Sequence, residues 1–290
     1  MRDVWLRLLH AGLHPDRLRS LLAAAGSAER LLSRLRRGAA GPAVQDAVSV
    51  EAAARREQLA RLGARLVLRE DPGYPERLRS LPDAPPGLFV RGTLPTAPTF
   101  AVVGTRRCTA YGREIARSYG EAVAAAGWVL ASGLARGIDG AAHRGTVSGA
   151  GRGVAVLGCG IDVRYPREHA GLAAALLDHG GGVVTEYPPG TAPEGWRFPP
   201  RNRIIAGMAI AVVVVEAGIT GGALVTAGRA LEYGIPVFAV PGDVDRASSR
   251  GCNLLIRDGA HPVLDAEDLV AELGLLLGAR TASTASRVEP

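Results

Sequence analysis

One pattern, written twice in succession, restricts this chain more than any other. An apolar run at Phe100–Val103 breaks at Gly104-Thr105-Arg106, and a helix-like stretch follows to about Ala126. A second apolar run, Trp128–Ala131, breaks at Ser132-Gly133, and another helical stretch follows through Asp139 and His143. Short runs that are apolar at every residue read as strands covered on both faces, as parallel strands are when helices pack on either side. Strand, helix and parallel strand connect by a right-handed crossover. Both glycine turns then fall at carboxyl ends of strands, where open α/β sheets take up ligands. Each turn has an arginine close by, Arg106 and Arg136, so the expected ligand is an anion.

The alternation continues along the chain. Strands are expected at 100–103, 128–131, 154–157, 183–185, 210–215 and 237–240, with IAVVVVE the most continuous run. Helices are expected at about 110–126, 139–149, 167–179, 201–207, 222–233 and 263–277. The fold class is therefore α/β, a doubly wound and mostly parallel sheet. Residues 1–62 carry only helical spacing. Leu6, Leu9 and Leu13 share a face, Pro15 and Ser27 mark helix starts, and a last helix spans about 44–62. They form a small all-helical domain that resembles sterile-alpha-motif modules. Residues 63–280 form the α/β domain, which opens on a proline-rich bridge with short strands at 64–68 and 88–90. Residues 281–290, small and polar, read as a disordered tail or linker.

Charge narrows the partner. All 34 basic residues are arginine, the net charge is +6, and the first 69 residues hold 13 arginines against 6 acids. From residue 204 onward the balance reverses to 6 against 10. Such asymmetry suits one face for a polyanion and another for a different partner. The three cysteines are far apart and no apolar stretch is long enough to span a bilayer, so a cytoplasmic protein without membrane attachment is expected.

The turns carry the chemistry. Gly104-Thr105-Arg106 offers a tight turn, a hydroxyl and a guanidinium at a helix start, yet it is neither G-x-G-x-x-G nor a Walker motif. Ser132, Gly133 and Arg136 form a second turn, with Asp139 the expected N-cap of the next helix and a structural hydrogen bond expected for Asp139 and His143. Arg164 and Arg167 flank Tyr165-Pro166 in a third, where Cys159 reads as a buried small residue. A fourth segment mixes Arg197, Arg201 and Arg203 with Tyr187, Trp196 and Phe198. Aromatic rings among arginines suit stacked bases and phosphates of a single strand. The same rings equally suit the core of an ordered loop. Asn202 is expected to bond backbone and fix its turn. Gly221-Gly222 opens a helix after a strand ending in Glu216, which is expected to orient arginines. The sequence contains no metal-ligand cluster, no nucleophile motif and no paired carboxylates, so neither catalysis nor a cofactor or metal is expected.

Taken in order, YPERLRSLPDAPPGLFVRG, VGTRRCTAYG, SGLARGIDGAAH, VLGCGIDVRYP, TEYPPG, FPPRNRIIAG, VVVVEAGITGGALVTA and VFAVPG resemble the DNA-processing protein A (DprA/Smf) family over about residues 70–260. Thr220 and Gly222 depart from the S-G-S more usual there, and the C-terminal winged-helix domain of many members is not found in these 290 residues. The resemblance implies an extended Rossmann fold that binds single-stranded DNA and acts as a homodimer. It implies a recombination mediator that loads RecA on incoming DNA in natural transformation and displaces single-strand-binding protein. It makes Gly104, Thr105 and Arg106 the phosphate-gripping turn, and places Ser132, Gly133 and Arg136 in the same pocket. Arg201 and Arg203 would form its rim, and Arg167 would stand at the family's basic position. Phe198, Asn202, Gly221 and Gly222 complete the expected DNA-binding set. The Leu254–Leu277 segment is the candidate for dimer and RecA contacts. The competing expectation is a Rossmann-type nucleotide-processing hydrolase of the lysine-decarboxylase-like kind, whose P-G-G-x-G-T-x-x-E turn is missing from EAGITGGALVTAGRALE.

Overall fold

The structure, a computed structural model, describes residues 1–94 and 96–285, with the side chains of 280–285 left aside. Among these residues nine strands form one sheet: β1 (Ala64–Leu68), β2 (Gly87–Gly92), β3 (Thr99–Val103), β4 (Val129–Ser132), β5 (Arg152–Val156), β6 (Gly182–Thr185), β7 (Val212–Val214), β8 (Val237–Ala239) and β9 (His261–Pro262). Their order is β1-β2-β6-β5-β4-β3-β7-β8-β9, antiparallel at β1-β2 and β2-β6 and parallel elsewhere. From β3 the chain runs outward through β4, β5 and β6, then returns to the other side of β3 with β7 and β8. This is the doubly wound α/β fold expected, and the reversal creates a crevice at the carboxyl ends of β3 and β7.

Among the described residues, eight α-helices are interleaved with or follow the strands: α6 (Glu76–Arg79), α7 (Ala110–Ala125), α8 (Ile138–Ser148), α9 (Ala170–Asp178), α10 (Phe198–Met208), α11 (Gly222–Glu232), α12 (Arg250–Arg257) and α13 (Ala266–Ala285). β3 shows how its apolar run serves two cores. Phe100 and Val102 face α7, α8 and α13 with Tyr119, Ile138 and Leu269, whereas Ala101 and Val103 face α10 and α11 with Ile204 and Ala227.

The N-terminal helices are α1 (Arg2–Leu9), α2 (Pro15–Ala25), α3 (Ala28–Arg36), α4 (Pro42–Ser49) and α5 (Ala52–Arg61). Ser27 caps α3, its Oγ accepting the Arg30 N–H at 3.2 Å. The single helix expected over 44–62 is two, because Val50 and Glu51 are extended. That break leaves Val48 in the core and lets Glu51 pair with Arg7. Leu6, Leu31 and Leu35 pack in one cluster with Leu66, Phe89 and Leu157, so the helices share a core with the sheet.

α10 begins three residues before the expected start, since Pro199 and Pro200 sit in its first turn, where the missing N–H has no intrahelical role. α12 and β9 were not expected; eight residues and two residues give too little periodicity to read. α13 runs past the expected 277, and the tail expected from 281 lies, from residue 286, outside the described residues. Among the described residues no helix is long and apolar enough to cross a membrane.

α7 and α8 meet through glycine. A Cβ at Gly145 would lie 1.9 Å from the Arg117 carbonyl oxygen, and one at Gly120 would lie 2.1 Å from that of Ala142. Gly145→Ala should therefore cost about 1–3 kcal/mol, read by urea denaturation. A change of only a few tenths would contradict this close approach.

Candidate nucleic-acid interface

The crevice between β3 and β7 is a cavity of about 470 Å³ walled by residues from the turn after β3, by the start of α10 and by the Gly-rich loop before α11. The first turn is sewn in place. A Cβ at Gly104 would meet Ile138 Cγ1 at 2.4 Å, so only glycine lets β3 pass under α8. The Thr105 N–H donates to the Glu216 carbonyl at 2.7 Å, and the Thr105 carbonyl accepts the Ile138 N–H at 3.2 Å. Backbone bonds to β7's end and α8's start thus hold the turn, while Arg106 and Arg107 project from it, exposed. The Arg106 guanidinium lies over the Phe198 ring, 4.9 Å from its centroid.

Arg201 forms the floor. It is only 3% exposed, and its Nη1 donates to the carbonyls of Gly133, at 2.9 Å, and Val156. Burial lowers its pKa to about 10, so the guanidinium stays charged at neutral pH. Its Nε has no hydrogen-bond partner. Asp139 lies near it, and burial pushes that carboxyl above its ordinary range against the pull of Arg201. Gly133 fits between them: a Cβ there would come within 2.6 Å of Arg201 and 2.7 Å of Asp139. Across the cavity Gly221, at φ +142°, opens α11, whose first N–H groups are free for an acceptor. Asn202 Nδ2 donates to the Gly222 carbonyl at 3.0 Å, bonding backbone as the sequence suggested and tying α10 to α11.

The cavity thus gathers Gly104, Thr105, Arg106, Phe198, Arg201, Asn202, Gly221 and Gly222, and Gly133 and Arg136 line a smaller cleft beside it together with Arg106 and Phe198. Three expected members stand elsewhere. Ser132 is fully buried, and its hydroxyl donates to the Val102 carbonyl at 2.6 Å, joining β4 to β3. Arg167 is exposed on a short 3-10 turn and lines neither the cavity nor the cleft. Arg203 is two residues beyond Arg201, about 200° around the helix. It points away from the cavity and pairs with Glu186 at 2.6 Å and Asp83 at 3.8 Å. Arg136 is held at the rim by an ion pair with Glu168.

Other expectations change in detail. Among the described residues Glu216 pairs with no arginine: its Oε2 accepts from the Thr109 N–H at 2.9 Å and serves the α7 start. Gly137 at φ +74°, not Asp139, is the N-cap of α8. Asp139 is one residue inside the helix, and its carboxylate accepts the Gly133 N–H at 3.1 Å rather than bonding His143. His143 is fully buried, which drives its pKa down to about 3 and keeps the ring neutral. Cys159 is buried and its thiol is pushed up to about 11, so it is a packed thiol at neutral pH. Tyr187 is core, with its hydroxyl on the Arg197 carbonyl at 3.1 Å, whereas Trp196 is 43% exposed and stacks on His14 of the helical region. Sequence reasoning passed over Asp139 and Arg107 as wall residues; Arg107 follows Arg106 directly and was legible as part of the same turn. Among the described residues no group of His, Cys, Asp or Glu could hold a metal ion.

A doubly wound sheet with an arginine-floored crevice at its switch point defines a Rossmann-type α/β protein. The chain belongs to the DNA recombination-mediator protein A family, whose profile matches residues 65–274. It is 45% identical to Protein Smf of Escherichia coli over 69% of this chain and 54% of that protein. It is 40% identical to the DNA processing protein DprA of Bacillus subtilis over 69% of this chain and 68% of that one. The match thus spans roughly half to two thirds of these relatives. The crystal structure of DprA from Streptococcus pneumoniae superposes with a TM-score of 0.76 at 34% identity, over 92% of this chain and 95% of that one. DNA processing protein A from Helicobacter pylori, known for its single-stranded DNA binding mode, shares the fold at TM-score 0.64 and 23% identity, over 72% of this chain and 95% of that one.

Proposed function

We propose that the crevice grips the backbone of single-stranded DNA and that the chain is a recombination mediator that hands the strand to RecA. The observation that carries this reading is Arg201: a charged guanidinium, 3% exposed, on the floor of an open cavity, whose Nε has no hydrogen-bond partner among the described residues. Asp139 offsets part of this charge, and the buried donor left unused is a place for an acceptor such as a phosphate oxygen. Phe198 beneath Arg106 offers a ring face that any base can stack on, while phosphates meet arginine and helix N–H groups. Recognition of this kind is independent of sequence. A nucleotide hydrolase needs a free carboxylate over the reacting bond, and the two acids beside this crevice, Asp139 and Glu216, are bonded to backbone N–H groups of Gly133 and Thr109.

The proposal extends to self-association and RecA contact through the segment expected from Leu254 to Leu277. There α13 buries Leu269 and Leu273 and leaves Leu275 69% exposed, with Leu264 before it 64% exposed. A reducing cytoplasmic setting agrees with three free cysteines.

Arg106→Ala is expected to weaken binding of oligothymidylate and mixed-sequence oligonucleotides alike, by about tenfold at low salt, and to lower the salt slope by about 0.7. Fluorescence anisotropy across a salt series measures both. Unchanged affinity would remove this turn from the interface.

A further inference from the structure

A second arginine cluster lies outside the crevice, in a groove of about 430 Å³ between α7 and α8 lined by Arg113, Glu114, Arg117, Ala141, Arg144 and Leu172. Arg113 and Arg117 are four residues apart and share one face of α7, while Arg144 rises from α8 opposite. Arg117 has an acidic partner, Glu121 at 3.1 Å. Among the described residues Arg113 and Arg144 are in no ion pair, and the single lining acid, Glu114, pairs with neither. The two guanidiniums are neighbours of like charge: Arg144 is held below its ordinary pKa by partial burial first and then by Arg113. Among the described residues the Arg144 side chain makes one polar contact, with His169 Nε2 at 3.4 Å. Two neighbouring cations left without acids in a groove form a place where an anion relieves their repulsion.

A short stretch of chain links the groove to the crevice, from Arg107 on the crevice wall to Arg113 in the groove. Arg113 is in the first turn of α7, directly after the turn that carries Arg106 and Arg107. Arg144 is close enough to Cys108, in that same turn, for the two to interact electrostatically. The groove walls are fixed, because α7 and α8 touch backbone to backbone at Gly145 and Gly120.

We propose that the α7–α8 groove is a second phosphate lane, in which Arg113 and Arg144 take the backbone of a strand that leaves the crevice past Arg107. The proposal rests on the reading of the crevice as a single-strand site and extends its footprint. It commits to a nucleic-acid backbone: the lane holds no exposed ring for a base, so it would carry charge and no stacking.

The test compares oligothymidylates of about six and about thirty nucleotides, spanning the site sizes usual for single-strand binders. The proteins are the full chain, the Arg113→Gln/Arg144→Gln variant and the Arg113→Lys/Arg144→Lys variant. The Gln variant should bind the short oligomer within about twofold of the parent and the long one about tenfold more weakly, with the salt slope for the long one reduced by about 1.4, two phosphates at about 0.7 each. The Lys variant should restore most of the long-oligomer affinity, since it keeps the charge. Unchanged affinity for the long oligomer overturns the lane and leaves the crevice standing. Equal losses on both lengths also overturn it, because the arginines then act on the crevice itself. A parent chain that binds neither length overturns both readings. Melting curves of each variant exclude a folding defect as the source of a loss.

Discussion

Replacing Arg203 with alanine is expected to cost the fold about 3–5 kcal/mol while leaving the DNA affinity of the folded fraction unchanged. Its Nη2 bonds Glu186 Oε2 at 2.6 Å, and both side chains are nearly inaccessible, at 7% and 6%. Burial pulls the Arg203 pKa down, but Glu186 and Asp83 outweigh that pull and hold it above its ordinary value. Without the guanidinium, Glu186 would be a carboxylate in the interior with its main counter-charge gone, and burial already pushes its pKa up. The pair is incompletely satisfied, since Glu186 Oε1 and Arg203 Nη1 lack hydrogen-bond partners. The double variant Arg203→Met/Glu186→Leu should for that reason recover most of the loss. Guanidinium denaturation of the two variants measures both effects. A stable Arg203→Ala protein with weakened DNA binding would instead return Arg203 to the interface.

Arg201 has the opposite profile. Arg201→Gln should lower single-strand affinity by about 10- to 100-fold, the worth of about 1.5–3 kcal/mol for hydrogen bonds to a charged group. Arg201→Lys should not rescue it. An ammonium is a point charge and cannot hold the Gly133 and Val156 carbonyls while presenting a second edge to a phosphate. The substitution also leaves Asp139 beside a weaker counter-charge, so some stability is lost with the affinity. Anisotropy titrations, corrected for the folded fraction, separate the two. Full affinity in Arg201→Gln would take the floor of the crevice out of the mechanism.

These two arginines also show where the sequence stopped being informative. Strands, turns and helices were legible because their signals are local: an apolar run, a glycine, a capping serine. The crevice followed from them, since topology alone puts Gly104 and Gly221 at a switch point. The direction of Arg201 and Arg203 did not follow. Every residue from Arg201 to Met208 in α10 is buried, so no polar stripe marks an outer face and the helix phase cannot be read. Ser132 looked like a ligand hydroxyl because its use by Val102 depends on how β4 pairs with β3. Glu216 looked like a partner for arginine because Thr109, which it serves, is 107 residues away in sequence. The break at Val50 was hidden for a similar reason: Glu51 leaves the helix to meet Arg7, 44 residues earlier.

The glycine contact between α7 and α8 has a thermodynamic consequence. These helices begin at the two turns that flank the crevice and the groove, and their backbones touch at Gly145 and Gly120 with no side chain between them. Neither turn can shift against the other by rotamer changes in an intervening layer. The backbone of both turns is therefore set in advance, and the proposed capture of a strand would cost the protein the side-chain freedom of exposed arginines such as Arg106 and Arg107 but little backbone entropy.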